Sequence, residues 1–299
     1  MNPAHKKYSV SLVLGSGGAR GLAHIGIIDC LTEHGLDIRS IAGTSMGALV
    51  GGIYAAGKLD LYKNWVSTLE RRDVIQLLDL SFSNNGLIKG ERIIKTLKDM
   101  IGNANIGELA VKFTAVATDL DEGKEVWISD GPLFDAIRAS IGIPTVFTPY
   151  RYRNKLLVDG SLVNPVPVGA TVDDQTDLTI AVNLNGKVSK RTDTPDTGSV
   201  TRRRQNGYQQ RMANFIDDIR QYLNIRQQKT LGLFDVVARS MNIMEDTITQ
   251  WQLKSHSPDI VIEIPRNTCS FYEFYRAQEI IRLGREKAGA ALARAGILN

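Results

Sequence analysis

The sequence predicts an α/β fold in which a parallel sheet is covered by helices on both faces. Three observations carry that expectation. The chain opens with strand, helix, strand and helix in quick succession, its strands are near-continuous apolar runs, and glycines punctuate the turns between strand and helix. With 299 residues, 43% of them hydrophobic and 23% charged, the composition is that of an ordinary globular protein with enough apolar surface for a large core.

The elements follow in order. "YSVSLVLG" (8–15) is a β-branched run that ends in glycine and reads as the first strand. "RGLAHIGIIDCLTEHG" then places Leu22, Ile25, Ile28 and Leu31 at the spacing of one helix face and stops at Gly35. "IRSIAG" is a second short strand, and 48–57 reads as a buried helix of small residues. Residues 59–103 look helical and looped, with "SFSNNG" as the plainest break. "VKFTAVATDL" and "KEVWIS" are strands around the acidic turn "DEG". "PLFDAIRASIGIP" is a short helix opened by Pro132 and closed before Pro144. "KLLVDGSLVNPVPVG" is a strand, a turn at Asp159 and Gly160, and a proline-punctuated return, and "DLTIAVNLNG" is another buried strand.

Composition then shifts. Residues 186–207 hold six basic and two acidic side chains and almost nothing apolar, too little to bury, which predicts a mobile loop. Two amphipathic helices follow, over 208–229 and 231–253, the second presenting Phe234, Val237, Met241, Met244, Ile248 and Trp251 on one face. "DIVIEI" is the last strand and 271–292 a closing helix. The expected organisation is a single domain over 1–299, with a mobile basic loop over 186–207 and a helical excursion over 208–256 before the last strand.

A net charge of +4 gives a weak pull toward phosphate-bearing partners. There is no RNA-binding signature, zinc-finger spacing or aromatic platform, so nucleic acid is not an expected partner. Cys30 and Cys269 lie far apart in apolar segments and read as buried free thiols. No carboxylates show calcium-loop spacing, and neither metal nor cofactor is expected. The start, "MNPAHKKYSVSLVLG", reads as neither a secretory signal nor a membrane span, which suggests a soluble, cytoplasmic chain. Lys187, Lys190, Arg191, Arg202, Arg203 and Arg204 leave two readings open: peripheral contact with an anionic inner-membrane surface, or a solvated loop.

The chemistry starts at "IAGTSMGALVGG" (41–52). Gly43 and Gly47 bracket Ser45 between a strand and a helix, a sharp turn that exposes a hydroxyl over the helix N-terminus, where negative charge is favoured. At the end of the first strand, "GSGGARG" (15–21) fails the dinucleotide and the P-loop patterns at Arg20. What remains is a glycine-lined loop of bare amides, which beside a serine nucleophile serves as an oxyanion hole. None of His5, His24, His34 and His256 is well placed to take the serine's proton; His256 precedes the last strand, whereas the α/β-hydrolase histidine follows its strand. Asp159 ends a strand without a basic residue within three positions. It is either a desolvated base or the first residue of an ordinary Asp-Gly turn.

Together, "GSGGARG", "GTSMG" and "DGS", with "AIRASIGIPTVFTPY" between the last two, resemble the patatin-like phospholipases. The closest resemblance is to the bacterial branch related to the catalytic domain of neuropathy target esterase. It covers about 8–184 and again 259–292. It implies a three-layer α/β/α sandwich with a mostly parallel central sheet, and hydrolysis of acyl esters in phospholipids or lysophospholipids by a Ser–Asp dyad without histidine. On these motifs Ser45 would be the nucleophile, Asp159 the base, and Gly17, Gly18 and Ala19 the source of oxyanion amides, with Arg20 at the family's Lys/Arg position. Ser16 and Ser161 depart from it, standing where glycine, and alanine or glycine, are usual. Acyl transfer by the same serine and a non-catalytic regulatory role remain open beside hydrolysis.

Overall fold

The computed structural model describes residues 8–77, 90–144, 146–188 and 233–298. Among these residues eight strands form one sheet: β1 Ser9–Leu14, β2 Asp37–Thr44, β3 Lys112–Asp119, β4 Lys124–Ile128, β5 Tyr150–Tyr152, β6 Lys155–Asp159, β7 Leu178–Gly186 and β8 Ile260–Pro265. Its order is β5-β6-β3-β2-β1-β7-β8, with β4 also paired to β3. Strands β3, β2, β1, β7 and β8 run parallel, whereas β4 and β6 are antiparallel to β3 and β5 is antiparallel to β6. Helices flank this mostly parallel sheet in the three-layer α/β/α arrangement.

Every residue of β1 is buried, because β1 lies mid-sheet. Its two serines survive there by being satisfied: Ser9 donates from N and Oγ to Asp177 at 2.8 and 2.7 Å, and the Ser11 hydroxyl donates to Asp174 at 3.0 Å. The chain leaves β1 toward β2 and β3 and returns on its other side as β7 and β8. In open α/β sheets such a reversal is where ligands bind, at the carboxyl ends of the strands, and the loop after β1 lies there.

The helices are α1 Ala23–Glu33, α2 Met46–Ala55, α3 Leu59–Val66, α4 Arg71–Leu77, α5 Glu91–Ile101, α6 Leu133–Ser140, α7 Leu233–His256 and α8 Ala277–Arg294. Helices α1 and α8 meet backbone to backbone: a Cβ on Gly26 would lie 1.9 Å from the Ile281 carbonyl, and one on Gly284 would lie 2.1 Å from that of Ala23. Side chains such as Leu12, Ile25, Ile53 and Phe113 are fully buried, and each contributes about 1.5–3 kcal/mol relative to exposure. Cys30 and Cys269 are buried and free, as expected.

The structure corrects several boundaries. Helix α2 starts at Met46, directly after Ser45, rather than at 48, and the closing helix starts at Ala277 after a 3-10 turn at Phe274–Arg276. Strand β5 has no counterpart in the sequence reading. It pairs with β6 through Arg153 and Asn154, both left-handed (φ 46° and 63°), the mirror-image turn that suits a two-residue hairpin. A bidentate pair from Arg153 to Asp130, at 2.9 and 2.7 Å, holds that unusual backbone.

The chain divides into two units, Met1–Val188 with Glu245–Asn299, and Ser189–Met244. Of the second, only the first part of α7 is described. Lys190, Arg191, Arg202, Arg203, Arg204, the helix expected over 208–229 and the "SFSNNG" break lie outside the described residues, while Lys187 is described and exposed. The described C-terminal half of α7 leaves part of its apolar face exposed. Trp251 is 65% exposed, and the buried positions are Thr249 and Gln252, one and two turns after Glu245.

Candidate active site

Ser45 sits between β2 and α2 with φ 57° and ψ −120°, a conformation costly for any residue with a side chain. Its glycine neighbours are there for space. A Cβ on Gly43 would lie 2.4 Å from the Gly47 carbonyl, and one on Gly47 would lie 1.9 Å from the Leu14 oxygen. The elbow is pinned by a residue that the sequence reading left without a role. The Ser45 N–H donates to the Ser140 hydroxyl at 2.9 Å, which in turn donates to the Val116 carbonyl at 2.6 Å. Ser140, fully buried at the end of α6, thus fixes the turn from the neighbouring helix. Because α2 begins at the next residue, its first amides lack intrahelical acceptors and its positive end favours negative charge beside Ser45.

Antiparallel β6 brings Asp159 to the same end of the sheet. Asp159 pairs with Ala117 on β3, one residue beyond Val116, which pairs with Thr44 on β2. Gly160 is pressed against this junction, where a Cβ would lie 2.2 Å from the Val116 oxygen and 3.0 Å from the Thr44 methyl. Asp159 is fully buried. Its Oδ1 accepts from the Ser161 N–H at 2.9 Å, and its Oδ2 has no hydrogen-bond partner among the described residues. Burial pushes this carboxyl up to about 6, against the opposing pull of the Ser45 hydroxyl and of the Ser161 amide and hydroxyl. Ser45 and Asp159 are therefore adjacent, and the carboxyl is poised near neutral pH.

The loop after β1 is packed equally closely. A Cβ on Gly17 would lie 2.6 Å from Leu184, and Gly18 is left-handed (φ 56°) against the Phe271 carbonyl. The Gly17 and Gly18 N–H groups have no acceptor among the described residues. Ala19 differs from expectation: its N–H donates to the Phe271 oxygen at 2.8 Å and is not free in this arrangement. Arg20 is turned into the protein rather than outward. It donates to the Gly17 carbonyl at 3.2 Å, to the Arg266 carbonyl at 2.9 Å and to Asn185 Oδ1 at 2.9 Å. Burial lowers its pKa from the ordinary value. Its geometry is that of a clamp on the glycine loop.

The histidines stand apart. His24 is fully buried, its Nε2 is 2.9 Å from the Gly15 carbonyl, and burial pushes it down to about 4, so it is neutral and steadies the loop. His256 is exposed at the end of α7, near Gly169. No histidine hydrogen-bonds to Ser45 or Asp159 among the described residues. Among those residues no group of three His, Cys, Asp or Glu could hold a metal ion, and no helix is long and apolar enough to cross a membrane.

A second acid that the sequence reading missed is half-buried in the site. Glu245 on α7 accepts from Asn185 Nδ2 at 3.4 Å and lies within reach of the Ser161 hydroxyl. Burial first, and then the charge of Asp159, push it up to about 7, while Ser161, Arg20 and Asn185 pull the other way. Only its place on an amphipathic helix was legible, at the edge of the apolar stripe one turn after Met241.

The chain resembles known proteins along most of its length. The family model for patatin-like phospholipases matches residues 12–172. An uncharacterized NTE family protein of Mycobacterium tuberculosis is 37% identical over 327 aligned positions, covering 95% of this chain and 91% of that protein. A lysophospholipase, NTE1, of Debaryomyces hansenii is 30% identical over 192 positions, covering 62% of this chain and 12% of that protein. The crystal structure of VipD from Legionella pneumophila superposes with a TM-score of 0.48 at 13% identity, covering 98% of this chain and 68% of that one. With its matched segment spanning the glycine loop, the Ser45 elbow and Asp159, and its NTE relative aligned nearly end to end, the chain belongs to the patatin-like phospholipase family, among the NTE family proteins.

Proposed function

We propose that this protein is a serine esterase that hydrolyses acyl esters of phospholipids or lysophospholipids, with Ser45 as nucleophile and Asp159 as general base. Family membership supports hydrolysis of lipid esters. The observation that carries the finer reading is the pairing of a strained, buried Ser45 with a fully buried Asp159 whose carboxyl is held near 6.

In the first step the Ser45 oxygen attacks the ester carbonyl while Asp159 takes its proton. The Gly17 and Gly18 amides and the N-terminus of α2 face the negative oxygen of the tetrahedral intermediate, a donor arrangement worth about 3–4 kcal/mol per donor in comparable sites. Asp159 returns the proton to the departing alcohol, leaving the acyl group on Ser45. Water then repeats the attack, with Asp159 again as base, and frees the acid. A carboxylate is a weaker base than imidazole, which suits esters better than amides. The test is turnover on a panel of phospholipids and lysophospholipids, with and without an added acceptor alcohol. Release of free fatty acid that added alcohol does not divert is expected. Acyl transfer as the main product, or no ester turnover, would overturn hydrolysis.

We also propose that the basic stretch holding Lys187, Lys190, Arg191, Arg202, Arg203 and Arg204 recruits the enzyme to anionic bilayers. Each such residue near the surface contributes about 1 kcal/mol at low salt. Arg202, Arg203 and Arg204 changed together to glutamine are expected to weaken cosedimentation with anionic vesicles and flatten its salt dependence, while binding to neutral vesicles stays unchanged. Equal binding by variant and wild type would remove this role.

A further inference from the structure

We propose that Glu245 is a positioning residue for the reaction, tied through the Ser161 hydroxyl to Asp159 and through Asn185 and Arg20 to the oxyanion loop, and that its proton must be in place for full activity. The inference rests on the assignment of Ser45 and Asp159 above. Its ground is one connected cluster. On one side, the Ser161 hydroxyl lies between two carboxyls and favours the anion of each, while its amide donates to Asp159 at 2.9 Å. On the other, Glu245 accepts from Asn185 at 3.4 Å, Asn185 accepts from Arg20 at 2.9 Å, and Arg20 donates to the Gly17 carbonyl at 3.2 Å. Asp246, the next residue of α7, pairs with Arg266 at 2.7 Å, whose carbonyl Arg20 also holds at 2.9 Å. One turn of α7 therefore braces both the base and the loop that carries the oxyanion amides.

Charge decides the protonation state. The groups facing Glu245 among the described residues are Asp159 and Ser161 after β6, Arg20 after β1 and Asn185 on β7. Asp159 titrates near 6 and Glu245 near 7, because burial penalises the Glu245 charge and the Asp159 anion then opposes a second negative charge beside it. Ser161 has one hydroxyl proton and two carboxyls that could accept it. While Glu245 keeps its proton it can donate to Ser161, and Ser161 can donate to the Asp159 carboxylate. Once Glu245 ionises, both anions compete for that one proton. The added charge also pulls on Arg20 and faces the site where a negative oxygen must form. The hydroxyl of Ser161 is what makes this link available.

The test is the pH profile of kcat/KM on a short-chain aryl ester for the full chain and for Glu245→Gln, Glu245→Ala and Ser161→Ala, with Ser45→Ala as blank. Wild type is expected to rise through about 6 and fall above about 7. Glu245→Gln, a permanently neutral mimic of the protonated acid, is expected to keep the rise and lose the fall, exceeding wild type severalfold at pH 8.5 (about 1.5 above the falling limb). Glu245→Ala removes the brace and is expected to lose about tenfold or more in kcat at every pH. Ser161→Ala is expected to move both limbs to higher pH, since the hydroxyl lowers the pKa of both acids. An unchanged falling limb in Glu245→Gln, or wild-type kcat and profile in Glu245→Ala, would overturn the proposal. An active Ser45→Ala would instead overturn the reading beneath it, so the two failures are distinct. Should Glu245→Ala fail to fold, the Glu245→Gln and Ser161→Ala profiles still decide.

Discussion

Ser45→Ala is expected to reduce ester turnover by about four orders of magnitude or more, because in the proposed mechanism the Ser45 oxygen carries the acyl intermediate. The fold should survive. Ser45 is held through its backbone N–H, which donates to Ser140, and that bond remains when the hydroxyl is removed. Alanine is also no larger than serine in a turn confined by Gly43, Gly47 and Leu14. A melting temperature within a few degrees of wild type, alongside lost turnover, is the expected pair of readings. Substantial remaining activity would place the nucleophile elsewhere.

Asp159→Asn is expected to lower kcat by about two orders of magnitude or more, the usual scale for loss of a general base. Its effect on stability runs the other way. A buried acid whose native pKa is raised binds its proton more tightly when folded. Stability is therefore highest below the unfolded value and declines as pH rises toward about 6, leaving a cost on the order of 3 kcal/mol at neutral pH. Asparagine removes that charge while keeping an oxygen for the Ser161 amide, so the inactive variant should melt at or above the wild-type temperature at pH 7.5. His256→Ala, an exposed change at the end of α7, should leave kcat within about twofold. A dead His256→Ala together with an active Asp159→Asn would replace the dyad with a triad.

The parts of this fold that were legible in the sequence are those fixed by local pattern. Strands β1 and β7 are mostly apolar because both faces of the sheet are covered, and Gly43, Gly47 and Gly160 mark turns where a Cβ would strike backbone. What was not legible depends on partners distant in the chain. Ser140 reaches Ser45 across 95 residues, and Glu245 reaches Asn185 across 60. Nothing local to "GSGGARG" shows that the Ala19 amide is taken by Phe271 or that Arg20 is drawn inward by Asn185 and Arg266. Strand β5 is three residues long and owes its turn to a pair between Arg153 and Asp130. On α7, Met244 and Trp251 are exposed while Thr249 and Gln252 are buried and Glu245 is half-buried, an inward-facing set whose partners lie elsewhere in the chain.

The central claim is that Ser45 takes the acyl group and Asp159 its proton. Covalent labelling of the wild-type chain with a fluorophosphonate, followed by mass analysis of its peptides, tests it most directly. One adduct per chain on the peptide holding Ser45 is expected, forming at a rate that climbs as pH passes through about 6 and that falls sharply in Asp159→Asn. An adduct on another residue, or an unlabelled Ser45 in protein that still hydrolyses esters, would contradict it.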